Sequence, residues 1–127
     1  MSLRSPLGQV RGMGAAGGGV HHWWSQRLSS LALIPLTLWF ALALFGLPQL
    51  DYLTVREWMA SGLAPVLLGL LVIVLTHHSW LGVQVIVEDY VHAKPIKLVT
   101  LLGSTFVHAV IAAAGVFAVI KVALTSS

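Results

Sequence analysis

Apolar and polar positions divide this chain into three long apolar runs and three polar intervals. The first run, Leu28 to Leu47, has no charge between Arg27 and Asp51. The second spans Gly62 to about Val87, and the third Leu98 to Ile120, which Lys121 closes. Each run is near or above the ~20 residues that a helix needs to cross a bilayer. Pro35 sits one to two turns into the first run, where a membrane helix tolerates it, and Pro65 suits the first turn of the second. Between the first two runs, Thr54 followed by Glu57 fits a capping box for a short interfacial helix with Trp58 as its anchor. Glu88 to Lys97 reads as a second loop, in which Pro95 blocks continuation of the helix before it.

The pattern predicts an all-α membrane protein. Its three transmembrane helices form an antiparallel up-down bundle, with spans at about 28–47, 62–87 and 98–120. Residues 1–27 form a flexible N-terminal segment, and 28–123 form the anchor. Arg4, Arg11 and Arg27 share a side with Lys94 and Lys97, whereas the other side has Arg56 and Lys121. The bias of basic residues towards the cytoplasm then puts the N-terminus inside and the C-terminus outside.

Composition supports this reading. Of 127 residues, 57% are hydrophobic and 9% charged, against about a quarter charged in a soluble domain. The net charge of +3 comes from scattered groups and not from the basic clusters that nucleic-acid binding needs. With no cysteine, the chain has neither a disulfide nor thiolates for an iron–sulfur cluster. No secretory signal peptide is evident, so the first run reads as a retained span. Gly12, Gly14 and Gly17 make a formal G-x-G-x-x-G, but no strand precedes it, and the segment reads as a flexible tail.

Candidate chemistry lies at the ends of the apolar runs. In His21 to Arg27, HHWWSQR, Trp23 and Trp24 suit the headgroup layer. His21 and Arg27 serve either as anchors or as partners of an anion such as a cofactor propionate. In Thr76 to Tyr90, His78 and Asp89 lie about 16 Å apart along a helix and within about 20° of one face. An intramembrane histidine is costly unless it meets protein, water or a cofactor. His78 is thus either a helix–helix hydrogen-bond partner or an axial ligand of haem iron, for which two histidines are usual. Gly82, at i+4 on nearly the same face, lets a flat group or another helix approach. His108 reaches similar depth on the third helix, so an in-chain pair with His78 is one option and a ligand from a sister protein the other. Asp89 and Tyr90 serve either as a helix end with a belt aromatic or as a quinone-binding, proton-delivering pair.

The pattern H-x-W-x-G-x-x-x-x-x-x-D-Y, on His78, Trp80, Gly82, Asp89 and Tyr90, resembles the D-type membrane anchors of succinate dehydrogenase. His21 lies six residues before Arg27, and serines then open an apolar span, which agrees; HHWWSQR looks α-proteobacterial. The resemblance covers about residue 20 to the end. It implies a component of respiratory complex II in the bacterial inner membrane, not an enzyme by itself. The chain would pack with a sister anchor of the C type around a shared haem b and attach the flavoprotein and iron–sulfur subunits. By the same resemblance His78 is an axial ligand, Arg27 and His21 approach the haem propionates, Tyr90 hydrogen-bonds a ubiquinone carbonyl, and Asp89 helps deliver protons. His22 departs from relatives that carry an acid there, His77 doubles the ligand position, and His108 lies outside the motif. The competing readings are a self-contained b-type cytochrome using His78 and His108, and a purely structural membrane anchor.

Overall fold

The computed structural model describes residues 16–125. Arg4, Arg11, Gly12 and Gly14 lie outside the described residues, so the expected flexible tail is only partly covered. Four helices follow one another: α1 (Ala16–Phe45), α2 (Tyr52–Ala60), α3 (Ala64–Tyr90) and α4 (Lys94–Thr125). Three are long and apolar enough to cross a membrane, over Gly19–Phe45, Ala64–Tyr90 and Lys94–Thr125.

Each long helix exceeds the apolar run that predicts it. α1 begins at Ala16 and carries HHWWSQR as continuous helix. At 1.5 Å per residue its 30 residues reach about 45 Å, against about 30 Å of bilayer hydrocarbon. Pro35 is accommodated inside it. α3 keeps Glu88, Asp89 and Tyr90 within its last turn, and α4 already contains Lys94 and Lys97. The expected second loop therefore shrinks to Val91, His92 and Ala93. Pro95 lies in the first turn of α4, where a missing N–H costs nothing because it would have no partner there.

The short helix is also capped differently from the sequence pattern. Asp51 is the N-cap, and its Oδ1 accepts from the Thr54 N–H at 2.8 Å. Thr54 sits inside the helix and is not its cap. The hydroxyl and N–H of Thr54 hold the Asp51 carboxyl below its ordinary 3.8. α2 packs across one end of the molecule. Its Trp58 lies 6.0 Å from the Trp39 ring and 6.1 Å from Phe40, and Arg56 donates to the Thr125 carbonyl at 2.9 Å. The turn into α3 passes through Gly62 at φ +52°, a left-handed conformation that glycine adopts without a steric penalty.

α3 is the central helix. It packs against both α1 and α4, which do not pack against each other. The three long helices thus form one layer. Most of the buried residues belong to α3: Ala64, Leu68, Leu71, Thr76, Leu81 and Val87. α1 contributes Ser29 and Leu36, and α4 Val119. Between α3 and α4, rising numbers on one meet falling numbers on the other: Val72 with Gly115, Ser79 with His108, Trp80 with Thr105, and Glu88 with Lys97. Large apolar side chains on all three helices, such as Leu31, Ile34, Ile73, Val99 and Phe106, stay exposed on the chain. In lipid or against another protein this exposure carries no penalty, since the surroundings are as apolar as the side chains.

Candidate functional site

Polar side chains inside the layer lie on both seams of α3, and one set occupies the seam with α1. His22, Gln26 and Ser29 follow an i, i+4, i+7 spacing, which places them on one face of α1. Opposite them on α3 stand His78 and Gly82, on nearly one face, and Gln84, about 120° round the helix from His78, whose side chain reaches back to the seam. His22 Nε2 meets Gln84 Oε1 at 3.2 Å. Ser29 Oγ meets His78 Nδ1 at 3.0 Å and donates to the Gln26 carbonyl at 3.0 Å. Ser30 Oγ donates to that same carbonyl at 2.6 Å. A Cβ added to Gly82 would have the Gln26 amide nitrogen 3.9 Å away. The space beside Gly82 is therefore taken up by α1, the closer approach of a neighbouring helix.

His78 is half-buried, and its Nδ1 is engaged by Ser29. Its Nε2 makes no hydrogen bond. Among the described residues, Gln26 Oε1 is the one buried side-chain polar atom without a partner. Nε2 of His78, also without a partner among the described residues, is therefore not fully buried. An open imidazole nitrogen whose ring is fixed through its other nitrogen suits axial ligation of haem iron. No group of three or more His, Cys, Asp or Glu residues gathers among the described residues.

His108 is used differently. Its Nδ1 lies 2.8 Å from the Ser104 carbonyl, which can only accept. Nδ1 must therefore carry the proton, leaving Nε2 to accept from Ser79 Oγ at 3.3 Å. Both ring nitrogens are engaged, Nδ1 within α4 and Nε2 across the α3–α4 contact. α1 and α4 flank α3 without meeting, so His78 and His108 serve separate seams. The structure does not bring them together as a ligand pair. His77 is exposed, lies tilted at 5.8 Å against the Trp80 ring, and lines with His108 a groove of about 290 Å³ between α3 and α4. Trp80 of the motif donates its Nε1–H to Thr105 Oγ1 at 3.0 Å, across the same seam.

At the end of α3, three donors satisfy carbonyls that lack intrahelical partners. The Val91 N–H reaches Val87 O at 3.0 Å, Lys97 Nζ reaches Glu88 O at 2.9 Å, and His92 Nδ1 reaches Tyr90 O at 3.2 Å. The backbone is tied, while the Asp89 carboxylate and the Tyr90 hydroxyl make no hydrogen bond among the described residues. Both residues are exposed, Tyr90 at 78%. An acid in the last turn also faces the negative end of the helix dipole, which disfavours it there. On α1, His21 is exposed, and the Arg27 guanidinium lies 5.0 Å over the Trp23 ring. Neither touches His78, but both belong to the same end of the layer as the His22–Gln84 contact.

The sequence reading noted His22 and the serines but missed their partners, and it passed over Gln26 and Gln84. The signal on α1 was the i, i+4, i+7 spacing of polar residues, visible only if residues 21–27 are taken as helix.

A family model for the succinate dehydrogenase/fumarate reductase transmembrane subunit matches residues 1–120. The succinate dehydrogenase hydrophobic membrane anchor subunit of Rickettsia bellii (strain RML369-C) is 29% identical over 98 residues, 75% of this chain and 76% of that protein. Its counterpart in Rickettsia conorii (strain ATCC VR-613 / Malish 7) is 25% identical over 90 residues, 70% of this chain and 71% of that one. No solved structure matches the chain.

Proposed function

The chain belongs to the succinate dehydrogenase/fumarate reductase transmembrane subunit family, and from that premise we propose that it is the anchor on which a succinate:quinone oxidoreductase meets its quinone. The observation that carries the proposal is the coincidence, on one membrane helix, of an unpaired His78 Nε2 near its middle with an exposed acid and phenol at its end. The helices run antiparallel, with the N-terminus and the Asp89–Tyr90 end in the cytoplasm of a bacterium and the C-terminus outside. The basic residues Arg27, Lys94 and Lys97 at that end support this orientation. Flavoprotein and iron–sulfur subunits dock on the same side.

A b-type haem fits the donor set. His78 would hold the iron through Nε2, with a second imidazole from a sister anchor. Arg27 and His21, both exposed on α1, would meet the propionates. When bound, haem would supply one-electron storage. Tyr90 donates its O–H to a carbonyl of the bound ubiquinone, and Asp89 relays a proton from the cytoplasmic surface to the reduced oxygen. Quinone reduction takes up two electrons and two protons, so a protonatable group within reach of water is a chemical requirement at this place. The layer geometry speaks against a self-contained cytochrome, because both nitrogens of His108 are occupied.

The test is a split of two activities in the purified complex. Tyr90→Phe removes the donor while leaving the ring, and should impair quinone reduction while succinate oxidation with an artificial acceptor persists. Equal loss of both activities would overturn the assignment.

A further inference from the structure

We infer that Ser29 is the positioning residue that fixes the tautomer of His78 and sets its strength as an iron ligand. The inference rests on the haem reading above. Ser29 is buried at 7% exposure, and its hydroxyl has one proton. That proton lies on the Gln26 carbonyl at 3.0 Å. The oxygen is then left to accept, and the group facing it at 3.0 Å is His78 Nδ1. A ring that donates from Nδ1 presents the Nε2 lone pair, the form in which neutral imidazole binds a metal.

The opposite setting fails on two counts. If Ser29 donated to Nδ1, the proton of His78 would sit on Nε2, which has no acceptor among the described residues. An unpaired N–H is costly in an apolar surrounding. Such a ring could not bind iron through Nε2. With Nε2 given to iron, Nδ1 would keep a proton that needs an acceptor, and among the described residues the Ser29 oxygen is the only partner of this nitrogen. The hydroxyl is itself held at both ends, by the helix carbonyl and by the ring, so it does not swing away.

An acceptor on the outer nitrogen makes a histidine a more basic ligand. A more basic ligand favours ferric over ferrous iron. Ser29 therefore holds the haem potential below the value that the same histidine would give without it.

The experiment compares Ser29→Ala, Ser29→Thr and His78→Ala in the full purified complex, by redox titration of the haem absorbance and by the low-spin ferric EPR signal. Ser29→Ala should raise the midpoint potential and shift the EPR signal. Ser29→Thr should restore both, because a helical threonine hydroxyl can also bond the carbonyl three or four residues back. His78→Ala should remove the haem. If His78→Ala eliminates the haem but Ser29→Ala leaves potential and EPR unchanged, the role of Ser29 is overturned while the haem reading stands. If His78→Ala retains the haem, both fail. Should Ser29→Ala lose haem through misassembly, Ser29→Cys, a weak acceptor of similar size, replaces it: a raised potential supports the role, and an unchanged one refutes it.

Discussion

The seam between α3 and α4 depends on one missing methyl group. A Cβ at Gly115 would lie 2.7 Å from Val72 Cγ1 and 3.6 Å from Cγ2. Carbon atoms pack best about 3.5–4.0 Å apart, so the methyl of Gly115→Ala lands about 1 Å too close. Val72 cannot rotate out of the way, since a helical valine is held in one rotamer. The helices must separate instead. His108 lies two turns from Gly115 on the same face, and its contact with Ser79 is already 3.3 Å long. A further ångström breaks it. Overpacking of this kind costs about 1–3 kcal/mol, while alanine gains about 0.8–1.0 kcal/mol over glycine in helix propensity. The net expectation is a loss of up to about 2 kcal/mol. The assay is thermal denaturation of the detergent-purified complex, followed by the fraction that stays soluble. Gly115→Ala should lower the midpoint, and Val72→Ala in the same chain should recover it, with a coupling of about 0.5–3 kcal/mol. Gly103→Ala is the control: nothing lies within 4 Å of its Cβ position, so it should be neutral or stabilising. If Gly115→Ala behaves like Gly103→Ala, the helices do not pack at this distance and the reasoning is wrong.

Three further outcomes follow from the geometry. His108→Ala should retain the haem absorbance that His78→Ala removes, with stability lowered through the α3–α4 seam; haem loss in both would favour ligation within one chain. Asp51→Asn should keep α2 protected in amide hydrogen exchange, whereas Asp51→Ala should speed exchange, because asparagine caps as well as aspartate and alanine does not. The Asp51 carboxyl is depressed in the fold, so its contribution is complete above its ordinary 3.8 and fades as pH falls through the lower folded value. Exchange in α2 should therefore be insensitive to that group from neutral pH to about pH 4 and respond only below it.

The three spans were legible because apolar runs near or above ~20 residues admit few other structures. Their ends were not. Glycines, histidines and tryptophans at 16–27 lower the mean hydropathy, and a hydropathy reading stops at Leu28, but nothing in those side chains blocks a helix once packing against α3 supports it. Pro95 misled in the same way: it stops a helix that precedes it and equally starts one that follows. The reading of Thr54 as a cap failed because Asp51, three residues earlier, is at least as good a cap. For the site, the phase of His78 and Asp89 could be counted from the sequence, whereas the occupant of the space beside Gly82 could not. That occupant is Gln26, and its position depends on where α1 crosses α3, a property of tertiary packing.

The continuity of α1 from Ala16 to Phe45 has a consequence for which changes the segment can absorb. His22, Gln26 and Ser29 meet α3 from a helix without a loop between them. One residue inserted or deleted among them rotates everything on one side by about 100°. His22 would then leave Gln84, or Ser29 would leave His78, although every side chain was still present. Between positions 22 and 29 a change of letter is a local event, and a change of length moves a whole face.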